Sequence, residues 1–549
     1  MRSKGIFLIL YLLWLGITAG VSEAATAPAE HMSDTKVKAP TGLVHRVGDR
    51  SVILHWQAVS RVNLAGYDVY RADLPSRLFE KRTPALLKTN HFVDVEVENN
   101  RTYLYRVRAL DNDGRQSDPS TSVRVTPSRL DDEAFIDLIQ QTAFDYFWYE
   151  ANAENGLIRD RNTSTSPANI AAVGFGLSVL TVGIDRGWIS REAGRKRVHA
   201  ALRFFWNSQS SPADDATGYQ GFYYRFLDMK TGRRAWFSEL SSVDTALLMS
   251  GILHVRQYFD QTNAEESAIR ILADALYLRV QWTWMQVRDA KICHGWKPRL
   301  GFMPYDWVGY NEGIILYLLA LGSPSYPASE ASWAAWTRGY AWRTYYGYSF
   351  VIAASLFVHQ YPHAWIDFRG IQDAYMRARG IDYFGNSRRA TLANRAYAMD
   401  NPRQWFDYGE NVWGLTASDS PTHYRAHGAP PALNDAGTIA PTAAASSLVF
   451  TPEESLAALR HMYAMYRTQL WGTYGLKGAF NPSVQWFNRD YIGIDLGATV
   501  LMIENHRTGW IWDVFMRNAA IQRGLARAGF TSIAGGRGPS ERASLNPNK

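Results

Sequence analysis

Residues 38–127 alternate between apolar and polar positions with a period of two that the rest of the chain lacks. Side chains two positions apart lie on one face of a β-strand, so each alternating run predicts a strand with one buried face. The clearest runs are Val52, Leu54 and Trp56; Tyr67 and Val69; and Tyr103, Tyr105, Val107 and Ala109. The pattern predicts a small all-β sandwich over residues 38–127.

From about Asp131 the periodicity becomes helical and continues to residue 530, so residues 131–530 are predicted as one all-α domain. Six helix-length segments are almost wholly apolar, which predicts buried helices, and charged amphipathic segments alternate with them. The apolar set is Asn169–Val182, Ser242–Val255, Asn311–Leu321, Ser349–His359, Pro441–Phe450 and Asp495–Ile503. Six buried helices interleaved with surface helices indicate an (α/α)6 barrel, whose inner helices would begin around one mouth.

The two ends of the chain differ from these domains. Residues 1–24 combine a basic start, an apolar stretch and small residues at the exit, which is typical of a secretory signal peptide. A polar linker follows at 25–37, and residues 531–549 are rich in Gly, Ser, Arg and Pro, which predicts a disordered tail. A single cysteine, Cys293, allows no internal disulfide. We therefore expect a periplasmic or secreted protein without a membrane span after signal cleavage.

The amino-acid composition limits the classes of function to consider. Aromatic residues make up 13% of the chain, with 20 Trp and 30 Tyr, more than packing requires and in keeping with surfaces that stack on sugar rings. The net charge of +7 is dispersed along the chain, which argues against a nucleic-acid partner. No zinc-protease, paired-cysteine, serine-hydrolase or phosphate-loop motif occurs. The composition favours a carbohydrate-active protein.

Candidate catalytic carboxyls stand at the predicted starts of buried helices. Cleavage of a glycosidic bond needs one protonated carboxyl and one ionised carboxyl in different environments. Glu312 is the predicted general acid, and Asp244, or failing it Glu239, the predicted group that activates water. Acids in a first helical turn also complement the helix dipole, so a structural role remains an alternative for each. The barrel would bring these acids near Thr442 and Asp495.

Aromatic and polar residues beside glycine or proline are the candidate substrate contacts. Trp365 and Trp413 are predicted to stack on sugar faces, with Asp367 and Arg369 free to bind hydroxyl groups. His359 and His363 have a metal-ligand spacing, but Pro362 breaks the helix between them, so no metal is predicted. The full predicted set of substrate-binding residues is Tyr310, Trp365, Asp367, Arg369, Trp413, Asp419, Thr442 and Asp495.

These motifs resemble a known family. Residues 132–530 are similar to the bacterial endo-β-1,2-glucanases with a glucoamylase-like domain, in the motifs Ser238–Leu247, Tyr310–Glu312, Ile366–Gly370, Asp382–Arg388, Trp413–Asp419, Gly437–Ala443 and Glu504–Gly509. The resemblance implies an (α/α)6 barrel that hydrolyses β-1,2-glucan with inversion, without metal or organic cofactor. Gly478 departs from the family, where an acid is expected before Ala-Phe-Asn.

The β-domain resembles a fibronectin type III module in Pro40–Leu43, the strand ending at Trp56, Gly66–Arg71 and Tyr103–Val107. Such modules support a catalytic domain, so no chemistry is assigned to it. The leading expectation is a monomeric endo-acting β-1,2-glucanase whose partner is a linear or cyclic glucan. The alternatives are an exo-acting glucan hydrolase, a polysaccharide lyase, or a non-catalytic glucan-binding protein on the same toroid.

Overall fold

The computed structural model describes residues 36–60 and 63–533. The predicted signal peptide at 1–24, residues 25–35 of the predicted linker and residues 534–549 of the predicted tail lie outside the described part of the chain. None of the helices in the described part is long and apolar enough to cross a membrane.

Two sheets form the N-terminal domain, as the alternating pattern predicts. Their strands are β1 Thr41–Gly48, β2 Ser51–Gln57, β3 Leu64–Asp73, β4 Phe79–Lys81, β5 His91–Asp94, β6 Tyr103–Asp111 and β7 Val123–Val125. The strand order is β1-β2-β5 in one sheet and β4-β3-β6-β7 in the other. Leu54 and Trp56 from the first sheet pack against Val69 and Val107 from the second. Val37, assigned to the linker, is only 2% exposed and belongs to this core.

The rest of the described chain is mainly helical, which confirms the predicted helical domain. The helices are α1 Asp132–Tyr149, α2 Ile170–Asp185, α3 Arg191–Asn207, α4 Ser242–Tyr258, α5 Ala264–Leu278, α6 Gly313–Gly322, α7 Ala331–Thr337, α8 Phe357–Gln360, α9 Ala374–Arg377, α10 Tyr383–Asp400, α11 Pro441–Ser446, α12 Pro452–Leu470, α13 Gly493–Arg507, α14 Trp510–Met516 and α15 Ala519–Arg527.

Short strands connect and cover the helix ends. They are β8 Ala168–Asn169, β9 Gly218–Tyr219, β10 Phe222–Tyr223, β11 Phe226–Leu227, β12 Leu240–Ser241, β13 Gly295–Lys297, β14 Gly301–Phe302, β15 Trp342–Tyr345, β16 Tyr348–Val351, β17 Ile371–Gln372, β18 Ala417–Ser418, β19 Arg425–Ala426, β20 Trp471–Gly472, β21 Gly475–Leu476, β22 Phe480–Asn481, β23 Trp486–Phe487 and β24 Thr531–Ser532.

Four helices, α2, α4, α6 and α13, are buried along almost their whole length. They pack side by side in the order α6, α4, α2, α13, and α11 continues the row against α13. Amphipathic helices such as α1, α3, α5 and α15 pack on the outside of this row. Because these four helices are apolar almost all round, they form the buried layer of the helical domain.

Helices α2 and α4 approach each other backbone to backbone at two glycines. A Cβ on Gly251 would lie 2.0 Å from the carbonyl oxygen of Gly174, and one on Gly174 would lie 2.3 Å from that of Leu247. Neither position has room for a methyl group. The contact therefore fixes how α4, which carries Asp244 in its first turn, sits against α2.

One predicted buried helix is wrong. Residues 349–359 were predicted as a single helix, but β15 and β16 form a hairpin there, and only α8 is helical. The backbone N–H of Val351 donates to the side chain of Asn386 on α10 at 2.8 Å, which satisfies a strand-end donor inside the protein. A short apolar run has no periodicity that separates a buried strand from a buried helix.

The start of the predicted tail also differs from expectation. Residues 531–533 lie within the described chain, and Thr531 and Ser532 form β24, which pairs with Gln372 and Ile371 of β17. Arg377 donates to the hydroxyl of Thr531 at 2.7 Å. The helical domain therefore includes residues up to at least Ser532.

The β-sandwich packs directly on the helical domain. Ile53 of β2 belongs to the same apolar cluster as Phe135 and Ile139 of α1. Arg467 of α12 donates to the backbone oxygen of Arg50 at 2.7 Å. Strand β2 is thus buried on both faces, one against the second sheet and one against the helical domain.

Candidate active site

A cavity of about 260 Å³ opens where α2, α4, α6 and α13 begin. Its walls are formed by Ala171, Arg225, Glu239, Ser241, Val243, Asp244, Leu247, His294, Met303, Trp307, Glu312, Phe357, Tyr361, Ala417, Tyr424, Ala426 and Ile494. All three predicted catalytic carboxyls line it. The structure therefore brings together Glu239, Asp244 and Glu312, which the sequence separates by up to 73 positions.

Asp244 is held at the first turn of α4 by two neighbours. Ser241, the N-cap residue of α4, donates to Asp244 Oδ2 at 2.5 Å and accepts from Asp244 N at 3.2 Å. Arg225 Nε lies 3.8 Å from the same carboxylate oxygen. Burial raises the pKa of Asp244, while Arg225 and the Ser241 hydroxyl oppose that rise because both favour the ionised form.

Glu239 reaches the cavity from the segment that enters α4. Its backbone oxygen accepts from Arg225 N at 3.0 Å, and the next residue, Leu240, begins β12, which pairs with β13. The Arg225 guanidinium is coupled electrostatically to both Glu239 and Asp244. The positive charge of Arg225 thus acts on two of the cavity acids.

Glu312 lines the same cavity in a different local environment. It precedes α6 and makes no side-chain capping hydrogen bond there. The pKa of Glu312 is raised to about 7, chiefly by burial; a hydrogen bond from its own backbone N–H opposes the rise, the charge of Asp244 adds to it, and Arg225 opposes it. The carboxyl is therefore protonated in an appreciable fraction of molecules near neutral pH.

A second group of acids adjoins the cavity through Tyr361. The Tyr361 hydroxyl, on a cavity-lining ring, lies 3.2 Å from Asp495 Oδ1, and Asp495 Oδ2 is buried with no hydrogen-bond partner among the described residues. Burial raises the pKa of Asp495 to about 7, and the charge of Asp419 adds to the rise. Asp419 accepts from Arg161 at 3.1 Å.

Aromatic rings form much of the cavity wall. Trp307 stacks on His294 with 3.9 Å between ring centroids and donates from Nε1 to Ser242 Oγ at 3.0 Å. Tyr424, in the turn between β18 and β19, is 44% exposed and lines the cavity. Apolar ring faces beside carboxyls suit a pyranose, which presents C–H faces and hydroxyl groups.

Trp365 and Trp413, which were predicted to stack on sugar faces, are buried outside the cavity. Both side chains are 0% exposed and neither lines the cavity. Trp365 packs on Phe175 and donates to Ser178 Oγ at 2.9 Å, both on α2. The neighbouring Gly and Pro residues indicated that these tryptophan rings are exposed. The helices that bury them are distant in the sequence, so the local pattern does not reveal them.

Asp367 and Arg369 are not at the cavity either. They form a bidentate ion pair with N–O distances of 2.8 and 3.0 Å, and the Arg369 guanidinium lies 4.2 Å from the ring centre of Trp512. Gly509, beside Arg369, comes two positions after the last residue of α13, whereas the first turn of α13 is at the cavity. A helix of that length spans about 22 Å, so the pair lies at the opposite end of the domain.

Tyr310 and Thr442 are buried without lining the cavity. The Tyr310 ring stacks on Tyr383 with 5.9 Å between centroids and packs against Tyr340, which makes it a support beneath the start of α6. Thr442 is the second residue of α11. Both were predicted to contact substrate because they lie next to motif acids or helix starts in the sequence. In the structure, neither of them reaches the cavity.

Several cavity residues were missed by sequence reasoning, among them Arg225, Trp307 and Tyr424. Trp307 comes five positions before Glu312 and Tyr424 five positions after Asp419, so both fall just outside the motifs that drew attention. Arg225 carries no motif signal. Only its backbone pairing with the segment before α4 places it there.

Known proteins are similar to this chain. Residues 304–519 match the Glycoamylase family, a glucoamylase family. The exo β-1,2-glucooligosaccharide sophorohydrolase (non-reducing end) of Parabacteroides distasonis is 30% identical over 542 aligned residues, which cover 91% of this chain and 72% of that protein.

Solved structures agree with the sequence match. The crystal structure of a β-1,2-glucanase from Parabacteroides distasonis is 29% identical, with a TM-score of 0.80 over 90% of this chain and 73% of that one. The endo-β-1,2-glucanase of Chitinophaga pinensis, solved with sophorotriose and glucose, is 31% identical, with a TM-score of 0.68 over 73% of this chain and 99% of that one. The chain belongs to the Glycoamylase family, together with these β-1,2-glucanases and the sophorohydrolase.

Proposed function

We propose that this protein is a glycoside hydrolase that cleaves β-1,2-linked glucan chains with inversion at the anomeric carbon. The observation that carries the proposal is one cavity with carboxyls in two environments. Burial raises the pKa of both Glu312 and Asp244, but at Asp244 the Arg225 guanidinium and the Ser241 hydroxyl oppose that rise by favouring the ionised form. Two acids with separated environments are what glycoside hydrolysis requires. The relatives act on β-1,2-glucans, which supplies the substrate class.

Glu312 is the proposed general acid. A catalytic acid works best when its pKa lies near the operating pH, and burial brings the pKa of Glu312 to about 7. The protonated carboxyl would donate to the oxygen of the leaving sugar. Trp307 and Tyr424 would hold the sugar rings on either side of that bond.

Asp244 is the proposed base that activates the attacking water. Its contacts with Arg225 and Ser241 stabilise the carboxylate that a base must present. A second candidate is Asp495, because its Oδ2 is buried without a partner among the described residues and Tyr361 connects it to the cavity. Asp244→Asn and Asp495→Asn, each assayed with and without azide as a small external nucleophile, distinguish the two. Azide restores turnover, as a glycosyl azide, only in the variant that lacks the base.

We propose that the enzyme cleaves within the glucan chain (endo action), and the alternative is cleavage from a chain end (exo action). The alternative is favoured by the extent of the match: the sophorohydrolase and the Parabacteroides structure align over the β-sandwich as well, whereas the Chitinophaga endo enzyme covers 73% of this chain. Cyclic β-1,2-glucan separates the two modes because a ring has no chain end. Early release of a size range of oligosaccharides from linear glucan, together with cleavage of the ring, supports endo action. Disaccharide release from linear glucan with an intact ring supports exo action.

The same assay tests the wider alternatives. A lyase would create a double bond and ultraviolet absorbance in the product, and a glucan-binding protein would give no new reducing ends. Reducing ends without new absorbance, and an α-configured product from a β-linked substrate by proton NMR, are the expected results. A β-configured first product would overturn the inverting mechanism.

We also infer that the β-sandwich is a fibronectin type III module, that the helices close into six pairs, and that the protein is a monomer exported to the periplasm or medium. The export proposal rests on the basic-apolar-small pattern of residues 1–24. Amino-terminal sequencing of protein recovered outside the cytoplasm tests it, since retention of residues 1–24 there would contradict cleavage.

A further inference from the structure

Two histidines form a cross-strand pair at the interface between the β-sandwich and the helical domain. His55 on β2 and His91 on β5 are register partners, so both side chains leave the sheet on the same face. Their ring centroids are 4.6 Å apart. His91 is 0% exposed, and His55 lies nearer the edge of the interface.

Helix α1 presents a matching pair of oxygen groups to these rings. Asp145 and Tyr149 are four residues apart, which places them on one face of the helix. Asp145 Oδ2 lies 3.5 Å from His91 Nε2 and 3.7 Å from His55 Nε2. The Tyr149 hydroxyl lies 2.9 Å from His55 Nδ1. Two imidazoles and a carboxylate thus converge, with one ligand atom each within 4.8 Å of the others.

Hydrogen bonds do not account for this convergence. Distances of 3.5 and 3.7 Å are too long for N–H to carboxylate bonds. Both ring nitrogens of His91 are buried without a hydrogen-bond partner among the described residues. Leaving such groups unsatisfied in the interior is unfavourable, so a buried imidazole aimed at a carboxylate calls for a partner of another kind.

We propose that His55 Nε2, His91 Nε2 and Asp145 Oδ2 bind a divalent transition-metal ion, with Zn²⁺ the best fit, and that this ion fastens the β-sandwich to α1. Ligand atoms around tetrahedral Zn²⁺ are roughly 3.3–3.5 Å apart, close to the separations from Asp145. Two imidazoles and one carboxylate are ligands that Zn²⁺ accepts, and water completes the set.

Tyr149 supports the same geometry from outside the ligand set. A hydrogen bond from His55 Nδ1–H to the Tyr149 hydroxyl would leave Nε2 unprotonated and facing Asp145. Tyr149 also stacks on His91, with 5.4 Å between ring centroids. The tyrosine therefore holds both rings in the orientation that metal binding requires.

Arg46 is the group that opposes a cation here. Its Nη2 lies 3.3 Å from Asp145 Oδ2, and it is coupled electrostatically to Asp137 as well. Carboxylate ligands usually accept an additional hydrogen bond from an outer group, and Arg46 would supply it. Its positive charge must nevertheless weaken the binding of a dication. In Arg46→Gln the amide N–H can still donate to Asp145 while the positive charge is removed, so this variant isolates the effect of the charge on metal binding.

The site lies apart from the cavity and adds no step to catalysis. Its residues come from two strands and a helix separated by dozens of positions, which is why the sequence predicted no metal there. Zn²⁺ bound at the interface would join a sheet to a helix across the two domains. The measurable consequences are binding and thermal stability.

The test titrates full-length protein, first treated with a chelator and dialysed, with ZnCl₂ and with CoCl₂. One equivalent of each ion should bind, Zn²⁺ should raise the melting temperature, and Co²⁺ should give the intense visible bands of a four-coordinate site. His55→Ala and His91→Ala should each weaken Zn²⁺ binding by more than about 100-fold, and Tyr149→Phe by about 10–100-fold. Arg46→Gln should strengthen binding.

His45→Ala is the matched control, since His45 is an exposed histidine on the neighbouring strand β1 and should leave binding unchanged. The proposal is overturned if wild-type protein shows no saturable binding, if His55→Ala binds as tightly as wild type, or if Arg46→Gln weakens binding. Should His91→Ala fail to fold, His55→Ala at the interface edge and Arg46→Gln decide the question.

Discussion

The hydroxyl of Ser241 makes two hydrogen bonds with one residue, accepting from the backbone N–H of Asp244 and donating to its carboxylate. The first bond caps α4, and the second favours the ionised form of a cavity carboxyl. A common helix-capping residue therefore also favours the ionised form of a proposed base, against the effect of burial. Its two effects can be separated by experiment.

Ser241→Ala should lower stability by about 0.5–2 kcal/mol, as loss of an N-cap does, and should also raise the pKa of Asp244. A base is lost as pH falls through its pKa, so the acidic limb of the kcat/KM profile should move to higher pH. Ser190→Ala removes the corresponding cap of α3, whose hydroxyl accepts from Ala193 N at 3.1 Å. It should reduce the melting temperature comparably without moving the pH profile. An unchanged acidic limb in Ser241→Ala would argue against Asp244 as the base.

Glu312→Gln should reduce turnover of β-1,2-glucan by about 10²–10⁴-fold while leaving oligosaccharide binding intact. Wild-type activity should fall as pH rises through about 7, because the protonated acid is then lost. More than half of wild-type turnover in this variant would remove Glu312 from the mechanism.

The same variant should be more stable than wild type above neutral pH. The folded-state pKa of Glu312, about 7, exceeds the ordinary value of 4.5, so ionisation destabilises the folded state progressively between those values and fully above pH 7. The difference should reach about 3 kcal/mol at most, and less where water reaches the carboxyl. Melting temperatures at pH 4 and pH 8 measure it. Glu330→Gln, at the exposed start of α7 and likewise without a capping bond, should show no such gain.

Tyr424→Ala should weaken binding of β-1,2-gluco-oligosaccharides by about 1–3 kcal/mol, by analogy with aromatic stacking on other ring systems, with little change in melting temperature. Its ring lines the cavity and is half exposed. Tyr346→Ala removes a similarly exposed ring from the β15–β16 hairpin and should leave sugar affinity unchanged. Calorimetric titration of both variants checks the difference, and equal affinities would contradict a stacking role.

Trp365→Ala should destabilise the protein by about 3–5 kcal/mol, because it empties a fully buried site and leaves Ser178 without its indole donor. Denaturant unfolding measures the loss. Trp206→Ala, which removes a half-exposed indole from the end of α3, should cost much less. A normal unfolding midpoint with impaired sugar binding in Trp365→Ala would instead restore the stacking role.

The sequence could predict the carboxyl wall because local rules govern it. Asp244 and Glu312 mark places where a polar turn enters an apolar helix, and buried helices in a row must begin side by side. The structure places both acids in one cavity, while their roles in catalysis stay predictions. The β-domain was accessible for a similar reason, since alternation along a strand is a local signal.

The burial of the tryptophans could not be predicted from local patterns. Trp365 is buried by Phe175 and Ser178, which precede it by nearly 190 positions, and no local pattern encodes such a contact. Glycine and proline beside a ring show that the chain turns there, and they do not show which helix covers it. The hairpin at 342–351 was missed because a short apolar run fits either a strand or a helix.

The close contact of α2 and α4 at Gly174 and Gly251 limits which substitutions can stabilise this protein. Replacing a helical glycine with alanine ordinarily stabilises a protein, because alanine is the better helix former. At these two positions the added methyl would instead force α2 and α4 apart. Since Gly251 lies about 10 Å along α4 from Asp244, the displacement would reach the carboxyl wall. Stabilising substitutions chosen by helix propensity alone would therefore disrupt the protein at Gly174 and Gly251. Such substitutions are better placed in the outer helices.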